Sequence, residues 1–223
     1  MNRTVLVVAA HSDDEALGCG GAIAKHVAGG DTVHVVFLAD GVTSRACTGE
    51  QGLSERNSAA NQALKILGVK QSYMLGFPDN RMDTVPLLHI VQRLERVVEE
   101  VQPQIIYTHH NGDLNIDHRI THQAVLTACR PLPGATLREI YAFEVLSATE
   151  WNAPGVYPFL PNVFIDISDY LEAKLRALAE YELEMREPPH SRSIANAKRL
   201  AELRGSFVGV NAAEAMTAVR LIQ

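Results

Sequence analysis

The stretch Thr4-Val5-Leu6-Val7-Val8-Ala9-Ala10, followed at once by His11-Ser12-Asp13-Asp14-Glu15, decides the fold class. A short Val-rich run without polar alternation is what a strand buried on both faces requires. Ala16 to Val27 then reads as a helix. Outward from that unit the pattern repeats. Strands are expected at Thr32–Ala39, Ser72–Leu75 and Gln104–His109. Helices are expected at Leu53–Leu67, Val85–Val101 and Asp117–Cys129. Ser54 would cap the second helix and Gly68 stop it; Pro86 sits at a tolerated first-turn position. Four β-α units in succession imply an α/β, Rossmann-like, mostly parallel sheet with helices on both faces. Further on, Glu139–Leu146 and Asn162–Ile167 read as strands, and Asp169–Met185 and Ser193–Arg204 as helices. The Pro-rich stretch from Pro154 to Pro161 reads as a loop.

The chain has 223 residues, 47% of them hydrophobic and 21% charged, which suits one domain over residues 1–223 with its own core. Three cysteines, Cys19, Cys47 and Cys129, make no disulfide framework and are expected reduced, in the cytoplasm. The formal charge of −6 argues against nucleic-acid or anionic-membrane partners. No apolar run approaches the ~18 residues of a spanning helix.

Ligands of open α/β sheets bind beyond the carboxyl ends of the strands, and the polar clusters of this chain fall there. They are His11 to Glu15, Asp40 to Arg45, Gly76 to Asn80, and His109 to His118. A turn entering a helix can aim His11 and Asp14, three apart, at one point, while Asp13 points elsewhere. Imidazole with carboxylate suits Zn²⁺, although other divalent transition metals share these ligand types. His118 opens a helix at the same edge and is a candidate third ligand; His122 lies one turn deeper. Their spacing is that of HExxH, but Arg119 stands where that motif needs its Glu. Asp113-x-Asn115-x-Asp117 begins like an EF-hand loop, but His118 and Ala124 replace its Gly and its closing Glu.

Ala10-His11-Ser12-Asp13-Asp14-Glu15 resembles the AHPDDE signature of the PIG-L/LmbE-like deacetylases, with Ser12 in place of Pro. Asn115-Ile116-Asp117-His118 is similar to that family's second motif, HPDH or HPNH, with Asn115 in place of the first His. The resemblance implies a zinc-dependent hydrolase that removes an N-acyl group, foremost acetyl, from an amino sugar or sugar conjugate. It implies His11, Asp14 and His118 as metal ligands and Asp13 as general base. It implies catalytic or substrate-binding roles for Arg56, a sugar-hydroxyl role for Asp79, and an oxyanion-donor role for His190. Asn115 falls at a substrate-facing position. The family also implies a homo-oligomer, trimer or hexamer.

Two other readings compete. Gly18-Cys19-Gly20-Gly21 is similar to a nucleotide-binding glycine loop, with Asp40 at the end of the second strand. Yet Ile23 occupies the third glycine position, and the glycines lie inside the first helix. A non-catalytic carbohydrate- or metal-binding protein would have no need for Asp13 beside the ligands.

Overall fold

The computed structural model describes residues 2–41, 50–153 and 155–223. Cys47, the stretch 42–45 after the second strand, and Pro154 lie outside the described residues. The elements run β1 (Thr4–Ala9), α1 (Asp14–Ala28), β2 (Thr32–Ala39), α2 (Glu50–Leu67), β3 (Gln71–Phe77), α3 (Leu87–Val101), β4 (Ile105–His109) and α4 (Ile116–Ala128). They continue with β5 (Glu139–Phe143), β6 (Val163–Asp166), α5 (Leu171–Ala179), α6 (Ile194–Ser206) and β7 (Ala213–Leu221). A 3₁₀ turn at Met82–Thr84 precedes α3.

The strands form one sheet in the order β3-β2-β1-β4-β5-β7-β6. The first five are parallel, and β7 runs antiparallel between β5 and β6. The strand alternation of β1 assigns its side chains to two cores. Val5, Val7 and Ala9 pack with α1, α2, α5 and α6. Leu6 and Val8 pack with α3 and α4. With both faces covered, the polar clusters have only the carboxyl edge to occupy. All of them from β1, β3 and β4 end there.

Helix α1 is broken at Cys19, whose φ of −146° is not helical. The free backbone groups at the break are met by side chains from far away. Lys174 Nζ donates to the Leu17 carbonyl at 2.8 Å, and the Glu214 carboxylate accepts the N–H groups of Gly21 and Ala22 at 2.9 and 2.7 Å. Lys174 and Glu214 close the circuit with a buried ion pair of 2.6 Å. This satisfies groups that a helix interruption would otherwise orphan. The glycines of Gly18-Cys19-Gly20-Gly21 lie inside α1 and serve close packing: a Cβ at Gly18 would overlap the Phe143 ring, and one at Gly21 would meet Ile167 at 2.7 Å.

Three expectations are corrected. The helix expected over Asp169–Met185 ends at Ala179, because Tyr181 and Glu184 turn inward to bond Glu15 and Arg56. The strand expected to Leu146 ends at Phe143. Helix α2 begins at Glu50, so Ser54 is inside it rather than its cap, while Gly68 ends it with a φ of +76°. Strand β7 has no counterpart in the expected pattern.

Candidate active site

The turn between β1 and α1 places His11 and Asp14 over the carboxyl edge, and α4 brings His118 to the same point. Asp14 Oδ2 is 3.2 Å from His11 Nδ1 and 3.3 Å from His118 Nε2. All three groups are buried and their ligand atoms lie within 4.8 Å of one another. Tetrahedral zinc with bonds of 2.0–2.1 Å separates its ligands by ~3.3 Å, so the spacing from the carboxylate fits a zinc ion. Asp14 Oδ1 is buried with no hydrogen-bond partner. Its other oxygen, Oδ2, carries the imidazole contacts, so this buried carboxylate keeps a coordinating site that no protein donor satisfies and that a bound cation would satisfy.

Carboxylates stand behind both imidazoles. His11 Nε2 is 3.0 Å from Asp117 Oδ2 and 3.1 Å from Asp79 Oδ1. His118 Nδ1 is 3.2 Å from Asp113 Oδ1, an ion-pair distance without hydrogen-bond alignment. Outer carboxylates of this kind fix a ligand histidine's orientation and raise its basicity. His11, Asp79 and Asp117 form a second group within ligand range of one another. Its Asp117 oxygens already accept the backbone N–H groups of Asn80 and Met82, at 2.7 and 3.0 Å. That group therefore acts as a clamp on His11, in contrast to the unmatched Asp14 oxygen.

The charges follow from these contacts. Burial would lower His118, but Asp14 and Asp113 outweigh it and lift its pKa to about 9. Burial would lower His11 too, and Asp117, Asp14 and Asp79 raise it well above the usual range. Burial would raise Asp14, yet His118 and His109 hold it well below. Asp13, its neighbour, is pushed up by burial to about 6, against the pull of Arg192 and Arg56. His109 stacks on His118 at 3.9 Å and accepts the Ala10 N–H through Nε2 at 2.8 Å. Burial keeps it well below the ordinary imidazole range.

The other expected site residues fall into place as follows. Asp13 begins α1 with a φ of +123°, a region that costs a non-glycine residue about 1–3 kcal/mol. Its carboxylate lies outside the His11, Asp14, His118 group. Arg56 is buried: Nε donates to Ser12 Oγ at 2.8 Å, Nη2 to the Ser12 carbonyl at 2.9 Å, and Nη1 to Glu184 Oε1 at 2.7 Å. It thereby holds the turn that carries Asp13. Asp79 is buried, with Oδ1 3.1 Å from His11 Nε2. Asn115 caps α4, its Oδ1 accepting the Asp117 N–H at 2.8 Å and its Nδ2 donating to Asn80 at 2.9 Å. His190 turns its ring edge to Trp151 and accepts the Arg192 N–H at 3.0 Å; the side chain of that loop which reaches Asp13 is Arg192. His122 Nδ1 donates to the His109 carbonyl at 2.8 Å and stands apart from the His11, Asp14, His118 group.

Asp113, Asp117, His109 and Arg192 were not among the expected site residues. Asp117 stands within the Asn115–His118 motif and Asp113 two residues before it, whereas nothing local marks Arg192, which sits 179 positions from Asp13.

The model of the PIG-L family, described as GlcNAc-PI de-N-acetylase, matches residues 6–129. The uncharacterized deacetylase YaiS of Escherichia coli K12 is 30% identical over 185 residues, covering 80% of this chain and 90% of that protein. The diacetylchitobiose deacetylase of Thermococcus kodakarensis is 30% identical over 213 residues, covering 86% of this chain and 76% of that protein. The crystal structure of the 4-carboxy-2-hydroxymuconate hydratase of Pseudomonas putida KT2440 superposes with a TM-score of 0.76 at 23% identity, covering 99% of this chain and 98% of that one. That likeness speaks for the fold alone. By its sequence across both motifs, the chain belongs to the PIG-L family of de-N-acetylases, enzymes that hydrolyse amide bonds outside peptides.

Proposed function

We propose that this protein is a zinc-dependent deacetylase of N-acetylated amino sugars or their conjugates. The observation that carries the reading is the pairing of two adjacent buried acids with opposite surroundings. Asp14 faces imidazoles and has an unmatched oxygen; Asp13 faces guanidinium groups. His11, Asp14 and His118 would hold the metal. When bound, zinc supplies Lewis-acid polarisation of the acyl oxygen and acidifies water.

The chain's own groups do the rest. Asp13 accepts the proton of the attacking water and returns it to the leaving nitrogen, general acid–base work worth ~10²–10⁴-fold. Its raised pKa of about 6 suits a group that must both take and give a proton near neutrality. Arg56 keeps the Ser12–Asp13 turn in place. Asp117, Asp79 and Asp113 hold the two imidazoles in orientation. The substrate class rests on the two deacetylase relatives, one of which is named for diacetylchitobiose.

The test is acetate release by metal-stripped and zinc-reloaded protein. The panel would hold N-acetylglucosamine, diacetylchitobiose, an N-acetylglucosaminyl inositol and a sugar nucleotide. Acetate and free amine in equal amounts, from the reloaded protein only, are expected from at least one member. Release that survives chelation, or none from any member, overturns the proposal. Hydration of a hydroxymuconate in place of amide hydrolysis would do so as well.

A further inference from the structure

The segment between α5 and α6 sends one cation to the proton-carrying acid. Arg192 Nη1 donates to Asp13 Oδ2 at 2.9 Å, while Arg56 stands 3.9 Å from Oδ1. The Arg192 fork is itself held. Its Nε donates to Ser147 Oγ at 2.9 Å, its backbone N–H is accepted by His190, and its side chain is only 19% exposed. The two loops that carry this arm are stapled together. The Ser147 N–H donates to Glu150 Oε1 at 2.6 Å and to Ser191 Oγ at 3.2 Å, and Ser191 Oγ donates to the same Glu150 oxygen. Ser193, the residue after Arg192, caps α6 through its side chain.

Asp13 needs such an arm. Its φ of +123° gives the backbone every reason to relax, and its N–H is already tied to Glu15 Oε2 at 3.0 Å. A carboxylate that transfers a proton must present one oxygen along a fixed direction, and rotation about χ2 would lose it. We propose that Arg192 is a positioning residue: it pins Oδ2 of Asp13 and leaves Oδ1 as the oxygen presented to the reacting water. The inference rests on the reading of Asp13 as the general base. A planar fork that reaches Ser147 with Nε and Asp13 with Nη1 is a task for Arg; Lys offers a point charge without the second anchor.

The test compares Arg192→Ala, Arg192→Lys and Asp13→Asn, each zinc-reloaded, on the fastest substrate of the panel above. For Arg192→Ala, kcat should fall about 10–100-fold, the equivalent of one charge-assisted hydrogen bond, with KM and zinc content unchanged. Arg192→Lys should recover part of the loss, and free guanidinium at millimolar concentration should rescue Arg192→Ala. In urea unfolding, the Arg192→Ala and Asp13→Asn effects should be non-additive. Wild-type kcat in Arg192→Ala beside an inactive Asp13→Asn overturns the inference alone. So does a rise in KM at constant kcat, or a loss that neither Lys nor guanidinium recovers. An active Asp13→Asn instead sinks the general-base reading, and the inference with it.

Discussion

Among the described residues, the cluster His11, Asp14, His118 and its clamps Asp79, Asp113 and Asp117 come from the first 118 positions of the chain. The groups that hold Arg56, Glu15, Asp13 and the broken α1 come from the other flank: Glu184, Tyr181, Arg192, Lys174 and Glu214. The contrast is sharpest at two adjacent acids, equally buried. The N-terminal flank surrounds Asp14 with imidazoles and holds it ionised, and the C-terminal flank gives Asp13 a single cation against the cost of burial. One flank builds the proposed place for a cation, and the other sets the backbone and the proposed proton carrier beside it. The family match, confined to residues 6–129, falls on the first of these.

The comparison is broken most directly at His118. His118→Ala should lose most bound zinc by elemental analysis and with it nearly all amide hydrolysis, as chelation of the wild type should. Zinc retained at wild-type stoichiometry would mean that the N-terminal flank does not own the metal.

Glu214→Ala attacks the C-terminal flank at its buried ion pair. It leaves Lys174 charged and unpaired and two N–H groups of α1 without acceptors, so urea unfolding should show a loss of ~3–5 kcal/mol. Glu214→Gln should lose less. A variant as stable as wild type would show that the break in α1 needs no support from β7.

Glu15 links the flanks through Tyr181 Oη at 2.6 Å. Burial raises its pKa to about 7 from 4.5, so the folded state binds a proton that the unfolded state has released. Its contribution to stability is whole below about pH 4.5 and is lost as pH rises through about 7, roughly 3 kcal/mol in all. Glu15→Gln should lack this slope. Metal-free wild type should therefore weaken relative to Glu15→Gln between about pH 5 and pH 8, as read by urea titration. Parallel stability profiles for the two proteins would contradict the raised pKa.

The smallest effect belongs to His122, whose ring meets the His109 carbonyl rather than the metal-ligand group. His122→Ala should keep full zinc content and most turnover. Zinc loss there, with His118→Ala unaffected, would move the second ligand motif by one helical turn.

The parallel half of the fold was legible because doubly covered strands show as unbroken apolar runs, as at Thr4–Ala9, and amphipathic helices write their period into the sequence, as at Leu87–Val101. Strand β7 was not, since Ala213-Glu214-Ala215-Met216 carries little strand propensity and is fixed instead by pairing with β5 and β6. The helix expected through Met185 failed for a related reason. Its local pattern continues, but Tyr181 and Glu184 gain buried partners only by leaving it. The proposed ligands His11, Asp14 and His118 could be named from two short motifs and the family they resemble. Arg192 could not, because its position opposite Asp13 depends on how two distant loops meet.

The stitched break in α1 carries a consequence in time. Glu214 lies 193 residues beyond Gly21, whose N–H it accepts. At a synthesis rate of ~5–20 residues per second, roughly 10–40 s separate the two on the ribosome. Throughout that interval the nascent chain already carries His11 and Asp14, while the rear half of α1 lacks the carboxylate that accepts its first N–H groups. The helix that presents them can reach its final form only after Glu214 has been made. A ribosome stalled short of that codon would hold a chain that has two of the proposed ligands and no settled place to put them.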